Sequence, residues 1–397
     1  MMRAVVTGGA GHIGSHVVDE LVAAGFSVTV VDDLSNGSLD NLAHHGDNVT
    51  FTKGTVADAD LVAHVTEGAD VVFHLASAVG VQRVLNDPTG AAAIILDGTR
   101  AVVDACVRNE TRLVFASSSE VYGNSRGKPM DEEDDLAIGP PTSPRWSYAL
   151  AKALGEQFVL DAATRGMPAT ILRYFNSYGP RAHRGPGASV VARFVDQALA
   201  GGPVTIYGDG SQVRSFTHVG DLARLTALAG SQPAAVGEVF NAGNREPTTI
   251  ADLATLTAEL VADLTSTPAV DVVATDPQQI HGWRFVEPHR RVPRTDRAMS
   301  KLQWCPVTSI ADGLRDGFLV VRPEYLRFLS EPGDADNHVP GRLYNEYALG
   351  SRIQYHVRVG EMTFVLEKLR HEAFQGKLDQ EVLIGWNAAD SIVVPDQ

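Results

Sequence analysis

Cysteine is nearly absent. Cys106 and Cys305 are the two among 397 residues. They support neither a disulfide framework nor a zinc-ligand spacing, and they fit a reducing cytosol. We expect a cytoplasmic protein with no metal site. Long apolar runs are lacking too: none reaches the ~18 residues of a spanning helix, so no membrane insertion is expected. Strand-like sequence starts at Arg3, so no signal peptide is expected. Positive charge is in deficit. Lys and Arg number 33 against 48 Asp and Glu, a formal net charge of -15. That field disfavours nucleic acid and anionic membranes as partners. It leaves room for an anionic small ligand, because a pocket can gather arginines locally. No phosphate loop of the GxxxxGK-Ser/Thr kind occurs, and no internal repeat or low-complexity tract is evident.

What remains is ordinary globular composition, 44% hydrophobic and 20% charged, which excludes disordered and collagen-like classes. The length suggests two or three domains. Arg3–Thr7, Ser27–Val31, Val49–Lys53, Val71–Leu75, Arg112–Ala116 and Ala169–Arg173 read as short strands. Helical stretches such as His16–Ala24, Thr89–Asn109 and Ser147–Arg165 lie between them. This alternation predicts an α/β fold, a doubly wound parallel sheet of Rossmann type, over residues 1–173. From about Tyr174, Gly and Pro become frequent and the elements shorten, which predicts a smaller cap over 174–317. After Phe318 five short strands follow without helices: Gly341–Ala348, Arg352–Val359, Met362–Leu369, Glu381–Trp386 and Ile392–Val394. They predict a small antiparallel barrel over 318–397.

Three local patterns carry chemistry. Gly8, Gly11 and Gly14 form GxxGxxG between the first strand and the first helix, with His12 and Ile13 inside the loop. Missing Cβ atoms let a backbone approach a pyrophosphate at a helix N-terminus. A plain tight turn fits the glycines alone. Asp32, at the end of the second strand, adds an acid where ribose hydroxyls bind and where a 2′-phosphate is repelled, favouring NAD over NADP. Asp33 reads as a solvated loop residue. Tyr148 and Lys152 share a helix face at i, i+4. A nearby ammonium is expected to lower the tyrosine pKa and make it a usable base. Ser117, Ser118, Ser119 and Glu120 sit at the end of the fifth strand, where such sheets place ligands.

In this order, these motifs resemble the extended short-chain dehydrogenase/reductase family, within it the nucleotide-sugar epimerases, dehydratases and decarboxylases. The likeness runs from Met1 to about Gly317. It includes His74-Leu75-Ala76, Arg173-Tyr174-Phe175-Asn176, Tyr178-Gly179-Pro180-Arg181, Tyr207 to Arg214, and Arg290-Arg291-Val292-Pro293. The resemblance implies a tightly held NAD bound by Gly8, Gly11, His12, Ile13, Gly14, Asp32 and Lys152. It implies a UDP-sugar substrate whose 4-hydroxyl loses its proton to Tyr148 and is held by Ser118. Lys152 and Glu120 complete the implied catalytic set. Ser119, Asn176, Arg214 and Arg291 match substrate-binding positions. The long helices Thr89–Asn109 and Ser147–Arg165 imply a homodimer. One departure is visible: the family's Gly-Asp after the third strand is here Gly54-Thr55, which weakens a contact to adenine.

The pair Ser119-Glu120 replaces the Asp-Glu of 4,6-dehydratases, so dehydration is disfavoured. Ser-Glu and the stretch Pro144-Arg145-Trp146-Ser147-Tyr148 resemble the UDP-glucuronate decarboxylases, with Arg291 holding the carboxylate or helping to reprotonate C5. UDP-sugar 4-epimerisation stays open beside it. So does a non-catalytic, transporter-associated nucleotide-binding role. The stretch from Val321 to Pro395 resembles the TOBE domain, the OB-like barrel of ABC-importer ATPases. As the ATPase phosphate loop is missing, this module is read as binding a protein partner or small effector, or as a passive relic. His338 and His356 read as ordinary barrel histidines.

Overall fold

The structure is a computed structural model. It describes residues 2–124, 128–184, 187–265, 267–276, 287–316, 320–321, 327–329, 337–349, 352–359, 362–369, 374, 377, 379–386 and 391–392. Contacts divide the chain into two compact units. The first comprises Met1–Phe194, Thr205–Leu256 and Val272–Gly313. The second comprises Val195–Val204, Thr257–Asp271 and Leu314–Gln397.

In chain order the first half holds β1 (Arg3–Thr7), α1 (His12–Ala23), β2 (Ser27–Asp32), a 3-10 stretch Leu39–Asn48 and β3 (Val49–Lys53). It continues with α2 (Ala59–Thr66), β4 (Val71–His74), α3 (Val81–Asn86), α4 (Pro88–Arg108), β5 (Arg112–Ser118), α5 (Trp146–Thr164) and β6 (Ala169–Tyr174). Then come β7 (Asn176–Tyr178), α6 (Val190–Leu199), β8 (Val204–Tyr207), β9 (Val213–Arg214), β10 (Phe216–His218), α7 (Val219–Ser231) and β11 (Val239–Ala242). The elements β12 (Thr248–Thr249), α8 (Ile250–Thr265), β13 (Val272–Thr275) and β14 (Arg290–Arg291) follow, before short helices at Asp296–Leu302 and Ile310–Asp316.

Seven strands form one sheet in the order β11-β6-β5-β4-β1-β2-β3, and every neighbouring pair is parallel. Strand order reverses between β1 and β4, so the crevice at their carboxyl ends is the natural ligand site. Burial on both faces follows from the sequence period. Along β1, Ala4 and Val6 join the core that also holds Val17, Leu21 and Leu225, whereas Val5 joins the core with Val62, Val102 and Val159. Along β4, Val71 and Phe73 face the first core and Val72 the second. Each fully buried aliphatic side chain of this kind is worth about 1.5–3 kcal/mol. Gly230 is required by packing: a Cβ there would overlap the Phe73 ring.

Two differences from the sequence reading bear on the site. The sheet does not end at Arg173, because β11 pairs in parallel with β6 and adds a seventh strand from the segment expected to be cap. Strand β5 also runs on through Ser118, since its ladder continues as Ser117↔Arg173 and Ser118↔Tyr174. Smaller ladders place further residues. β9 pairs in parallel with β14, and Arg214 stands in register with Arg291.

In the second unit, β16 (Arg327–Leu329), β17 (Asn337–Leu349), β18 (Arg352–Val359), β19 (Met362–Leu369) and β20 (Glu381–Trp386) form an antiparallel sheet. Its order is β16-β20-β17-β18-β19. β15 (Val320–Val321) pairs with β21 (Ser391–Ile392) in a separate ladder. The strand expected over Ile392–Val394 therefore starts one residue early, and Val393 and Val394 lie outside the described residues. The strand β16 carries no sequence signal beyond three residues, and its partner β20 identifies it. Alternation puts Ile353, Tyr355 and Val357 of β18 into the core with Leu343, Leu366 and Ile384. The Tyr355 hydroxyl accepts from Phe374 N at 2.9 Å, and Phe374 stacks on Phe328 at 3.9 Å. His338 and His356 lie in β17 and β18. Among the described residues, no helix is long and apolar enough to cross a membrane.

Candidate active site

One cavity of about 990 Å³ opens at the carboxyl ends of the strands in the first unit. Gly8, Gly11, His12, Ile13, Gly14 and Asp32 line its first end. Ser118, Ser119, Glu120, Tyr148, Lys152, Asn176, Arg214 and Arg291 line the rest. The structure thus brings every expected site residue to one cavity.

The glycine loop is built by close approach. Gly8 has φ +73°, and a Cβ on it would come within 2.7 Å of Ala76 N. A Cβ on Gly14 would overlap the Gly8 carbonyl oxygen. Gly11 caps α1 without any side-chain cap, so the first amides of the helix remain for an anionic ligand. Asp32 accepts from Ala10 N at 3.0 Å and from Leu34 N at 2.8 Å, which ties the end of β2 to the loop. Burial raises its pKa, opposed by these two amides. Each oxygen keeps a lone pair for a hydroxyl. A bare-backbone cradle at a helix N-terminus beside a carboxylate fits NAD. Thr55 lines the cavity beside Gly54. Asp33 is exposed and accepts from Ser35 N at 2.8 Å. The substitution Gly14→Ala is expected to weaken NAD binding at least about 10-fold, measured by titration calorimetry, because the loop must open to admit the methyl.

His12 is held as a neutral ring. Its Nδ1 donates to the Pro180 carbonyl at 2.7 Å, and burial lowers its pKa to about 4. His74, also quoted in the family-like stretches, is a core residue. Its ring nitrogens meet the Thr7 and Thr99 hydroxyls, and burial lowers its pKa to about 3.

Tyr148 and Lys152 lie on α5, but the phenol is shifted opposite to the expected direction. Burial first, and the Glu120 carboxylate second, push the Tyr148 phenol up to about 12, and the Ser77 and Ser118 hydroxyls pull the other way. Lys152 Nζ donates to the Ala116 carbonyl at 2.7 Å, and burial lowers its pKa to about 7 against the pull of Glu156. The expected lowering of the tyrosine is therefore corrected for the protein by itself. A sign follows for stability. Unfolded Lys152 titrates near 10.4 and the folded one near 7, so its burial costs most below pH 7 and least above about pH 10. Lys152→Met is expected to raise the melting temperature by roughly 5 °C at pH 6 and by less at pH 9. Calorimetric scans at both pH values check it.

At the other end, five charged side chains interlock. Glu120 Oε1 accepts from Arg291 Nη1 at 2.7 Å and Arg145 Nη2 at 3.0 Å. Arg145 Nη1 donates to Glu287 at 3.1 Å, and Glu287 also holds Arg214. Burial would raise the Glu120 pKa, but Arg291 and Arg145 outweigh it and hold it at about 2. Glu120 is thus an anion at neutral pH and no proton donor. Ser118 Oγ accepts from Glu120 N at 3.2 Å and starts the 3-10 turn Ser119–Tyr122. The sequence reading missed Arg145 and Glu287 as site residues. Arg145 lay within the quoted Pro144–Tyr148 stretch, and Glu287 carried no signal.

A family model described as NAD dependent epimerase/dehydratase family matches residues 4–243. The chain belongs to this family. A UDP-N-acetyl-alpha-D-glucosaminuronate decarboxylase of Bacillus cytotoxicus is 35% identical over 314 residues, 79% of this chain and 96% of the relative. A UDP-glucose 4-epimerase of Mycolicibacterium smegmatis is 34% identical over 319 residues, with 79% and 96% covered. The solved UDP-glucose 4-epimerase of Thermotoga maritima with UDP-glucose is 31% identical, with a TM-score of 0.69 over 79% of this chain and 96% of that one. Residues 319–394 match the TOBE domain model. This member of the epimerase/dehydratase family is an NAD-dependent enzyme that carries a TOBE domain, which sets aside the non-catalytic reading.

Proposed function

We propose that this enzyme oxidises C4 of a UDP-linked hexuronic acid and releases its carboxyl group as carbon dioxide. Arg291 carries the reading. Its Nη1 holds Glu120, while its Nε and Nη2 are buried and meet no hydrogen-bond partner among the described residues. That edge of a guanidinium is the fork that takes a carboxylate through two parallel bonds. Leaving a buried donor unmet costs about 1–3 kcal/mol, which a bound uronate would relieve. The similarity to a uronate decarboxylase supports the same substrate class.

The chemistry NAD supplies when bound is reversible two-electron oxidation of the sugar carbon. Gly8, Gly11, His12, Ile13, Gly14, Asp32 and Lys152 would hold it. Tyr148 takes the O4 proton while Ser118 holds O4. Once C4 is a ketone, the C5 carboxylate belongs to a β-keto acid. The C5–C6 bond breaks, its electron pair enters the C4 carbonyl as an enolate, and C6 leaves as carbon dioxide. A proton then returns to C5. Arg291 orients the carboxylate, and Glu120 orients Arg291 and Arg145. Ser119, Asn176 and Arg214 contact the sugar or the diphosphate.

The second reading is 4-epimerisation of a neutral UDP-hexose. It is favoured by the Ser118, Tyr148 and Lys152 set, which contains nothing specific to a carboxylate, and by the similarity to UDP-glucose 4-epimerases. Proton NMR of UDP-glucuronate and UDP-glucose with the enzyme separates the two. Formation of UDP-xylose or its 4-keto form is expected; UDP-galacturonate or UDP-galactose alone would establish the epimerase. A homodimer through α4 and α5 is part of the proposal, supported by Leu150 and Leu154, nearly half exposed one turn apart on α5. The TOBE domain is proposed to bind a partner protein.

A further inference from the structure

Outside the cavity, one cluster of side chains has no part in the chemistry above. Asp19, in α1, receives two adjacent histidines from the connection between β2 and β3. His44 Nε2 lies 2.9 Å and His45 Nε2 2.8 Å from the same oxygen, Asp19 Oδ1. The other oxygen, Oδ2, accepts from Arg181 Nη1 at 2.8 Å, and His16 Nδ1 stands 3.6 Å from it. The three potential ligand atoms lie within 4.8 Å of one another.

We propose that Asp19, His44 and His45 form a divalent transition-metal site that takes Zn²⁺. Two imidazole nitrogens and one carboxylate oxygen are a borderline donor set of the kind that zinc accepts, with the fourth position left for water. Bonds of about 2.0–2.2 Å in a tetrahedron place ligand atoms roughly 3.3 Å apart, so the two Nε2–Oδ1 separations need open by only about 0.5 Å. The His44 side chain is a third exposed, which leaves its ring room to turn toward the metal. Arg181 then plays the part of an outer partner that fixes the ligating carboxylate through its second oxygen. The metal replaces two N–H donations to Oδ1 with two coordinate bonds. It removes the need for both rings to point a proton at one atom.

The site's position gives it a consequence. The connection bearing His44 and His45 also carries Ser35, Asn36 and Gly37, which line the cofactor end of the cavity. Ser38 N and Asn41 Nδ2 both donate to Ala10 O within the glycine loop. A metal bound between α1 and this connection ties down the wall of the adenosine side.

The test uses the full chain without a histidine tag, stripped with chelator and dialysed against Zn²⁺ in a competing buffer. One equivalent bound per chain is expected, with affinity at least about 10-fold lower in His44→Ala and in His45→Ala. Retained circular dichroism and an unchanged melting temperature of the metal-free protein verify that these variants fold. A zinc-soaked crystal gives a reading that needs no variant: an anomalous peak among Asp19, His44 and His45 supports the site. No saturable binding, equal binding in the His44→Ala/His45→Ala double variant, or a peak elsewhere overturns it.

Discussion

Tyr148→Phe is expected to lower turnover about 10³-fold while the chain keeps its fold and its NAD, the usual range for loss of a positioned acid–base group. The ring remains and only the hydroxyl goes, so α5 and its packing are undisturbed. The loss is large because few groups at the C4 end can move a proton. Glu120 is held ionised by Arg291 and Arg145, and its pKa of about 2 leaves it no proton to give at neutral pH. Ser118 is a hydrogen-bonding hydroxyl, not a base. The phenol itself is pushed up to about 12 by burial and by Glu120. Its deprotonated fraction therefore grows as pH rises through the neutral range, and the wild-type rate should climb from pH 6 to pH 9. The residual rate of the variant should lack that limb. Sugar conversion followed by NMR, with bound NAD measured after denaturation, checks both statements. A variant within threefold of wild type would remove Tyr148 from its role.

The second large effect concerns stability. Arg173→Leu is expected to cost about 3–5 kcal/mol, the penalty of leaving a buried charge without its partner. Arg173 Nε and Nη2 donate to the two oxygens of Glu156 at 2.9 and 2.7 Å, and Nη1 meets the Tyr122 hydroxyl and the Glu132 carbonyl at 3.0 Å. Ser117 also donates to Glu156. Both charged side chains are buried. At about 2–4 °C per kcal/mol for a domain of this size, the melting temperature falls by roughly 10 °C. The double variant Arg173→Leu/Glu156→Leu should be clearly milder, because no lone charge is left. Calorimetry of the two variants decides. If the single loses less than 1 kcal/mol, the pair is not a structural anchor. Arg173 stands in one of the stretches that suggested the family, yet its side chain braces β5, α5 and β6 instead of facing the substrate.

Elements governed by local period were legible. Val5 and Val6 alternate between the two cores because successive strand residues point to opposite faces. Gly8, Gly11 and Gly14 pointed to a cradle only together with Asp32, because their spacing alone also fits a plain tight turn. Tyr148 and Lys152 were found together because four residues make about one helical turn. The inference drawn from that last pair failed in one respect. Proximity on a face says nothing of where an ammonium points, and Lys152 points to the Ala116 carbonyl.

What the sequence by itself determined is the alternation of the first six sheet strands with helices, the glycine cradle with Asp32, and the face shared by Tyr148 and Lys152. Each depends on residues close in the chain, whose backbone geometry the residue types dictate. The tertiary structure decided the rest. Strand β11 joins the sheet only because β6 offers it a free edge. Arg291 reaches Glu120 across 171 residues because the parallel register of β9 and β14 sets it beside Arg214. Asp19 meets His44 and His45 because the β2–β3 connection folds back over α1. Such meetings depend on register and packing between distant segments, and no local spacing encodes them.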